Sequence, residues 1–362
     1  CVSSPSFHVM ATAESDRTSP DCVVSLRGHT DSINAVTFYP EERLIFSASN
    51  DKKVHVFHAL DDSYEQWKEA TTFHCNSKVT ALAFDGSRRR VIAGLSNGMI
   101  LLLSVGDQGS CLKLAGQIDA HKKAVTKIMI LPENHDVVVS VGKDKNLFLY
   151  DQEERSLGGG RVTDAVVHTF EYEQQGRRVF LGTMGRTIPV LVLGEDYRSF
   201  SQVAELGLKE AGKQLSQCGH TASVRSLLFD EKESFLFSGS FDKTVCGWQI
   251  PRQVERSRLT QLRCRLDGHR GKVKGLAWDR EHRLLFSTGD DRTVIVWDAT
   301  LKKVVAHWMA HEDWVLGCEL YAEAGLLFTW GRDKTIKLWK WTNVTEMAIQ
   351  PPPSPVKTTV ET

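Results

Sequence analysis

Five histidines in this chain are each followed, 22 or 23 residues later, by an aspartate, and each aspartate by an aromatic residue six positions on. The sets are His29/Asp51/Phe57, His121/Asp144/Tyr150, His220/Asp242/Trp248, His269/Asp291/Trp297 and His311/Asp333/Trp339. A serine or threonine stands four residues before every one of those aspartates: Ser47, Ser140, Ser238, Ser287 and Thr329. Four residue types at fixed spacing, recurring with a period in the forties, mean one supersecondary unit copied around a closed ring. Any fold for this chain must repeat, and no single copy can bury its own apolar face.

Each full copy reads alike. A Gly-His or Ala-His pair opens it, as in Gly219-His220 or Ala310-His311, and an apolar strand follows, as in Val224-x-x-Leu227-x-Phe229. A polar turn (Glu231-Lys232-Glu233), a second strand (Phe235 to Ser238), a tight turn at the aspartate and a third strand ending on the aromatic complete it. Short strands with regular turn signals describe four-stranded antiparallel units. Two gaps between histidines are too long for one copy, and each holds a degenerate one. In the first, Asn97, Ala93 and Leu103 replace the aspartate, serine and tryptophan; in the second the equivalents are Gly185, Leu181 and Leu191. Five and two make seven. The last copy ends near Trp341 without an outer strand, and Cys22-Val23-Val24-Ser25-Leu26 is the spare strand that could close the ring and remove two sheet edges.

The spacing of Gly-His, Asp and Trp resembles the WD-repeat family over residues 22–341. That resemblance implies an all-β, seven-bladed β-propeller of four-stranded antiparallel blades at 21–341, with a disordered N-terminal tail at 1–20 and a Pro-rich disordered tail at 342–362. Gly94-Leu95-Ser96-Asn97-Gly98, Leu157-Gly158-Gly159 and the blade order look more narrowly like the propeller part of the WD-repeat-and-FYVE proteins. Members of that group carry a zinc-binding lipid module between their last two blades. Here that connection is only Asp298 to Ala310 and holds no cysteine, so endosomal phosphoinositide binding is not carried over.

Composition narrows the function classes. The formal net charge is zero, so no global field draws the chain toward nucleic acid or an anionic membrane. The eight cysteines include no C-x-x-C pair, and are expected to be free thiols in a reducing, cytoplasmic setting. No long apolar run is present, so no membrane insertion is expected. The chain opens on Cys1, and Met10-Ala11-Thr12 is read as its natural beginning. No cofactor or metal is expected, and the protein alone is expected to be a monomer.

Ser238, His220 and Asp242 have the composition of a nucleophilic triad. A catalytic site occurs once, however, and this set recurs. The tetrads His220/Ser238/Asp242/Trp248, His269/Ser287/Asp291/Trp297 and His311/Thr329/Asp333/Trp339 are therefore expected to be structural, each satisfying its own buried polar groups. Arg88-Arg89-Arg90 is expected at an exposed hairpin tip. Arg252 to Lys274 carries eight basic residues against two acids, and most of it is expected to form the outer strand of blade 5, with Leu262, Cys264 and Leu266 inward and Arg263 and Arg265 outward. Those charges either guard an edge or dock a partner. Pro189 removes an N–H from the third strand of blade 4. The polar stretch from Gly194 to Gln217 is an insertion loop or a partial helix around Val203 to Ala211. Ser354 lies in a proline-directed kinase pattern, and Asn343-Val344-Thr345 fits a glycosylation sequon.

In the propeller geometry, side chains three and five residues after each histidine, and the one before each aspartate, surround the mouth of the channel. In blade 1 these are Ser32, Asn34 and Asn50; in blade 3 they are Ala124, Thr126 and Lys143. Blades 5 to 7 supply Arg225 and Phe241, then Lys272, Lys274 and Asp290, then Trp314, Leu316 and Arg332. Aromatic and cationic side chains side by side point to a protein-binding site for an acidic or phosphorylated peptide. The alternative is that Trp314 is covered by its neighbours and the cations are merely solvated. The functional expectation is a non-catalytic interaction scaffold. A trafficking or signalling subunit that reaches membranes through its partner is the alternative, and a propeller enzyme stands behind both. Nucleic acid is not expected as a partner, because no stacking platform interleaves the charges.

Overall fold

The computed structural model describes residues 20–153, 155–207, 219–251 and 261–341. The two expected tails, Ser354, the Asn343-Val344-Thr345 sequon, and Arg252, Arg256 and Arg258 lie outside the described residues, apart from Pro20. The described chain folds into seven four-stranded antiparallel sheets. Blades 1 to 6 span residues 33–74, 79–119, 125–161, 167–206, 224–267 and 273–309. Blade 7 is shared between the two ends of the fold. Its strands β26 (Val315–Tyr321), β27 (Leu326–Gly331) and β28 (Ile336–Lys340) are completed by β1 (Cys22–Leu26), with Cys22 opposite Trp339 and Leu26 opposite Ile336. Both degenerate copies form full blades.

The core is not one body but a set of layers between blades. The second strand of each blade is wholly buried in most copies, as in Leu44–Ser49, Leu284–Gly289 and Leu326–Gly331. Its side chains pack against the next blade. Leu44, Phe46 and Val56 meet Val79, Val91 and Leu103 between blades 1 and 2, and Ile33 and Phe57 meet Phe328 and Ile336 between blades 1 and 7. Seven such apolar clusters join the seven blades in a circle. Each is a sheet-on-sheet contact that no blade could make alone.

Polar contacts stitch the lower rim. Arg88, Arg89 and Arg90 do not sit on a free hairpin tip: Arg88 pairs with Asp136, Arg89 with Glu42, and Arg90 donates to the carbonyl of Gln152 at 3.2 Å. The hairpin turn is where it was expected and Arg88 is exposed on it, but it is not free, because it is short enough for long side chains to reach both neighbouring blades. Trp278 Nε1 donates to Asp230 at 2.9 Å, and buried Arg178 donates to Glu173 at 2.6 Å and to the Pro251 carbonyl at 2.7 Å.

Blade 4 departs where its sequence does. Strands β15 (Arg178–Thr183) and β16 (Ile188–Leu193) pair only from Arg178↔Val192 to Phe180↔Val190, and the ladder stops at Pro189. The expected loop or helix begins instead as β17 (Phe200–Leu206), the outer strand of this blade; residues 208–218 lie outside the described ones. Strand β21 (Gln261–Asp267) is the outer strand of blade 5, as expected, with Cys264 and Leu266 buried and Arg263 exposed. Arg265 turns back rather than outward, donating to the Gly219 carbonyl at 3.0 Å and lying 3.6 Å from Asp242. Among the described residues no helix is long and apolar enough to cross a membrane.

Candidate protein-interaction site at the channel mouth

All five tetrads assemble, and their geometry is that of structure. The histidine Nδ1 lies 2.8–3.0 Å from the aspartate in each, and Nε2 lies 2.8–2.9 Å from the serine or threonine hydroxyl. The indoles of Trp248, Trp297 and Trp339 donate to that same hydroxyl at 2.8–2.9 Å. For a neutral imidazole the network fixes the tautomer: Nδ1–H donates to the carboxylate and the hydroxyl donates to Nε2, accepting from the indole where there is one. His220 departs from this: against the effect of burial, Cys246 and Asp242 hold it up, to about 9, so both its ring nitrogens donate. Each aspartate also accepts from the backbone N–H that follows the histidine, at 2.7–3.1 Å. Burial pushes these carboxyls up, but the donors outweigh it, and all five sit below their ordinary value, Asp333 at about 2. Ser47, Ser140, Ser238, Ser287 and Thr329 are fully buried, so no hydroxyl can reach a substrate. The weaker copies show their losses. Phe57 offers no donor, and the Tyr150 hydroxyl goes to the Ala120 carbonyl at 3.3 Å rather than to Ser140.

Blade 1 adds a feature the repeat pattern hid. His55 stacks edge-on against His29 with ring centroids 4.2 Å apart, and its Nδ1 lies 2.9 Å from Glu69. Ligand-type atoms of His29, Asp51 and His55 lie within 4.8 Å of one another. A cation there would have to break the tetrad, because His29 spends both ring nitrogens on Asp51 and Ser47. The register shows why sequence missed this cluster: His55 stands opposite Ser47, a place taken by Phe148, Cys246 and Ile295 in other blades.

The mouth is built by one backbone device used seven times. The N–H of the residue before each aspartate position donates to a carbonyl of the loop entering the same blade: Asn50 to Ser32, Ser96 to Lys78, Lys143 to Ala124, Met184 to Val166, Phe241 to Ser223, Asp290 to Lys272 and Arg332 to Trp314, all at 2.7–3.0 Å. A bulge after the first residue of every inner strand then turns one more side chain toward the mouth. These bulge residues are Asn34, Thr80, Thr126, His168, Arg225, Lys274 and Leu316.

In blades 5 to 7 the side chains at these positions meet. Lys272 and Lys274 lie over the Phe241 ring, each 4.7 Å from its centroid. Trp314, 40% exposed, is flanked by Lys274 at 5.5 Å and Arg332 at 4.8 Å. Such contacts hold cation and ring in fixed relation. Lys274 is paired with Asp290 at 3.3 Å, and Arg332 reaches Asp313 at 3.6 Å. Trp314 is thus not covered by its neighbours, whereas Lys274 is held and largely desolvated. Leu316 is half-buried and packs against the apolar layer between blades 7 and 1. The mouth residues of both degenerate blades escaped the sequence reading: Thr80 and Ser96 in blade 2, His168 and the 63% exposed Met184 in blade 4. Neither blade has an opening histidine from which to count, so only the spacing from its degenerate turn could have found them.

The sequence matches the WD domain, G-beta repeat family (WD40) over residues 20–58, 212–249 and 260–298. The tetrads and blades described above supply the same unit elsewhere in the ring. The chain carries WD40 repeats. It is 26% identical over 232 residues to WD repeat and FYVE domain-containing protein 2 of Homo sapiens, a match covering 64% of this chain and 54% of that protein. It is 24% identical over 243 residues to human WD repeat and FYVE domain-containing protein 1, covering 67% and 55%. With telomerase protein component 1 of Rattus norvegicus it shares 30% identity over 254 residues, only 8% of that protein. The chain spans about half the length of the WD repeat and FYVE domain-containing relatives it matches. What the WD40 resemblance implied for the fold therefore holds, degenerate blades included.

Proposed function

We propose that this WD40 propeller is a non-catalytic platform for other proteins, and that it takes an acidic or phosphorylated segment of a partner across the top of blades 5 to 7. The observation that carries this reading is the exposed Trp314 set between Lys274 and Arg332, in line with Phe241 and Lys272. Aromatic and arginine side chains dominate interaction hot spots, and cations give charge-assisted hydrogen bonds to carboxylate or phosphate. The buried tetrad hydroxyls argue against an enzyme.

A second reading is a trafficking or signalling subunit, cytoplasmic and brought to membranes by its partner. It is favoured by the match to proteins whose names join WD repeats to a FYVE domain. Both readings place the work on the same face.

The test is quantitative capture from native extract with wild type and the variants Phe241→Ala, Lys272→Ala and Trp314→Ala, each first shown to be folded. At least one partner should fall by roughly tenfold or more with Trp314→Ala, the scale of a hot-spot loss. Retention of every partner by all three folded variants removes the top face from consideration and leaves the outer edge of blade 5 at Arg263, since Arg265 is engaged with Gly219 and Asp242.

A further inference from the structure

The seven bulge residues at the channel mouth divide into two groups. In blades 1 to 3 they tie each blade to the next: Asn34 donates to the Val79 carbonyl at 2.7 Å, Thr80 to Val125 at 2.6 Å and Thr126 to Val167 at 2.9 Å. In blades 4 to 6 the same position holds His168, Arg225 and Lys274. The structural use of the position is visible in three blades and given up in the next three for side chains that repel one another. Lys274 has Asp290 at 3.3 Å. Arg225 has no acid of its own among the described residues, since Asp290, the acid that acts on it, is already engaged. It is half-buried, and desolvation pulls its pKa down. His168 stands beside it on the neighbouring inner strand, 6.2 Å from the Phe241 ring, and its Nδ1 is buried with no hydrogen-bond partner. Folded proteins rarely leave such atoms unmet unless an ion, water or ligand completes the site.

Resting on the platform reading above, we propose that His168 and Arg225 form an anion seat between blades 4 and 5, shaped for the phosphate monoester of a phosphorylated protein segment. Phe241 and Trp314 then take the apolar residues that follow along the segment. The groups that act on His168 are Arg225 from blade 5, Lys143 from blade 3 and Lys274 from blade 6; within the channel, Lys127 and Glu171 are paired with each other at 2.5 Å. Burial first, and then those three cations, push the imidazole down to about 4. An anion placed between His168 and Arg225 reverses that repulsion, so the filled seat takes up a proton that the empty one refuses. Binding must therefore tighten as pH falls from 7.5 toward 5, by at most tenfold for each unit that the anion raises the imidazole.

Sulfate tests this cleanly, because it remains a dianion throughout that range. Sulfate titrations of the full chain at pH 7.5 and 5.0, followed by calorimetry in every variant and by the His168 imidazole resonances where that residue is kept, should show about tenfold tighter binding at the lower pH. His168→Phe should keep binding at pH 7.5 and lose the pH dependence. Arg225→Gln should weaken binding about tenfold and raise the pKa of His168 in the free protein. Should that variant not fold, Arg225→Lys should keep the His168 pKa low. O-phosphoserine should compete with sulfate and serine should not, whereas displacement of sulfate by anionic vesicles with no effect of phosphoserine overturns the peptide assignment. A pH-independent sulfate affinity, or a His168→Phe variant that titrates like wild type, overturns the seat itself. Capture lost in Trp314→Ala with flat sulfate titrations sinks the seat alone; linked sulfate binding with capture intact in all three variants sinks the platform alone.

Discussion

Asp242 shows what one tetrad residue does. Its carboxylate accepts from His220 Nδ1 at 3.0 Å, from the Thr221 N–H at 2.8 Å and from the Thr244 hydroxyl at 2.6 Å. Asp242→Ala strands His220 in a buried site, which costs on the order of 1–3 kcal/mol. The expected result is a lower melting temperature, with partner capture lost only in proportion to unfolding. A variant of unchanged stability that has lost a chemical activity would contradict the structural role. The residue after each of these aspartates, a lysine or arginine, adopts a left-handed backbone (φ 68–73°) in all five tetrad blades. The turn in blade 2 instead uses Gly98 at φ 99°, where a Cβ would lie 1.8 Å from the His121 carbonyl. The tetrads were legible residue by residue because the network needs specific polar groups at fixed spacing. His55 and His168 were not, since what brings each to its neighbours is pairing between strands and between blades.

Strand β1 carries more consequence than its five residues suggest. It covers the outer edge of β28, and Leu26 enters the apolar cluster with Ile33 and Phe328. Removing residues 1–19 should leave the melting temperature unchanged, because that stretch has no apolar periodicity in the sequence. Removing residues 1–26 should expose β28 and produce dimers or larger species in size-exclusion chromatography. If both truncations behave alike, closure by β1 is not what holds the ring. The strands were readable from alternation, and blade 4's broken ladder from Pro189. The outer strand β17 was hidden because its polar sequence, Phe200-Ser201-Gln202-Val203-Ala204-Glu205-Leu206, carries only a thin apolar face. It forms because β16 offers it an unpaired edge.

For the molecule as a whole, buried titratable groups inside and outside the tetrads set the response to acid. Burial holds His29 and His121 below their ordinary 6.5 despite their aspartates, and His168 lower still, at about 4. A group with a depressed folded pKa gives stability that is complete above its unfolded value and is lost as pH falls. Each such histidine costs about 1.4 kcal/mol per pH unit once its unfolded counterpart is charged and it is not. Glu319 works the other way: burial raises it to about 7, so it gains stability as pH falls from there toward 4.5. His220 is held up, to about 9, so it is charged in both states below 6.5 and adds no slope there. His168 and Glu319 oppose each other, the lowering of His29 and His121 tips the sign toward loss, and below pH 4 the depressed aspartates add to it. Urea midpoints should therefore decline from pH 6.5 to 4.5 and fall more steeply below; a midpoint that holds constant to pH 4 would show that the buried histidines do not govern the transition. The architecture was legible because seven copies repeat. The chemistry of the mouth was less so, because its meaning lies in departures from the repeat.

Ring closure by β1 also orders the events of synthesis. Six of the seven layers between blades join stretches that follow one another directly, so they can form in turn as the chain leaves the ribosome. The layer holding Leu26, Ile33, Phe57, Phe328 and Ile336 cannot, since its two halves are made at opposite ends of the ring. Until β28 emerges, those side chains and the edge of β1 have no partner in their own chain. The seam between blades 7 and 1 is thus the longest-lived sticky surface of the nascent protein, and the place where a chaperone has the most to cover.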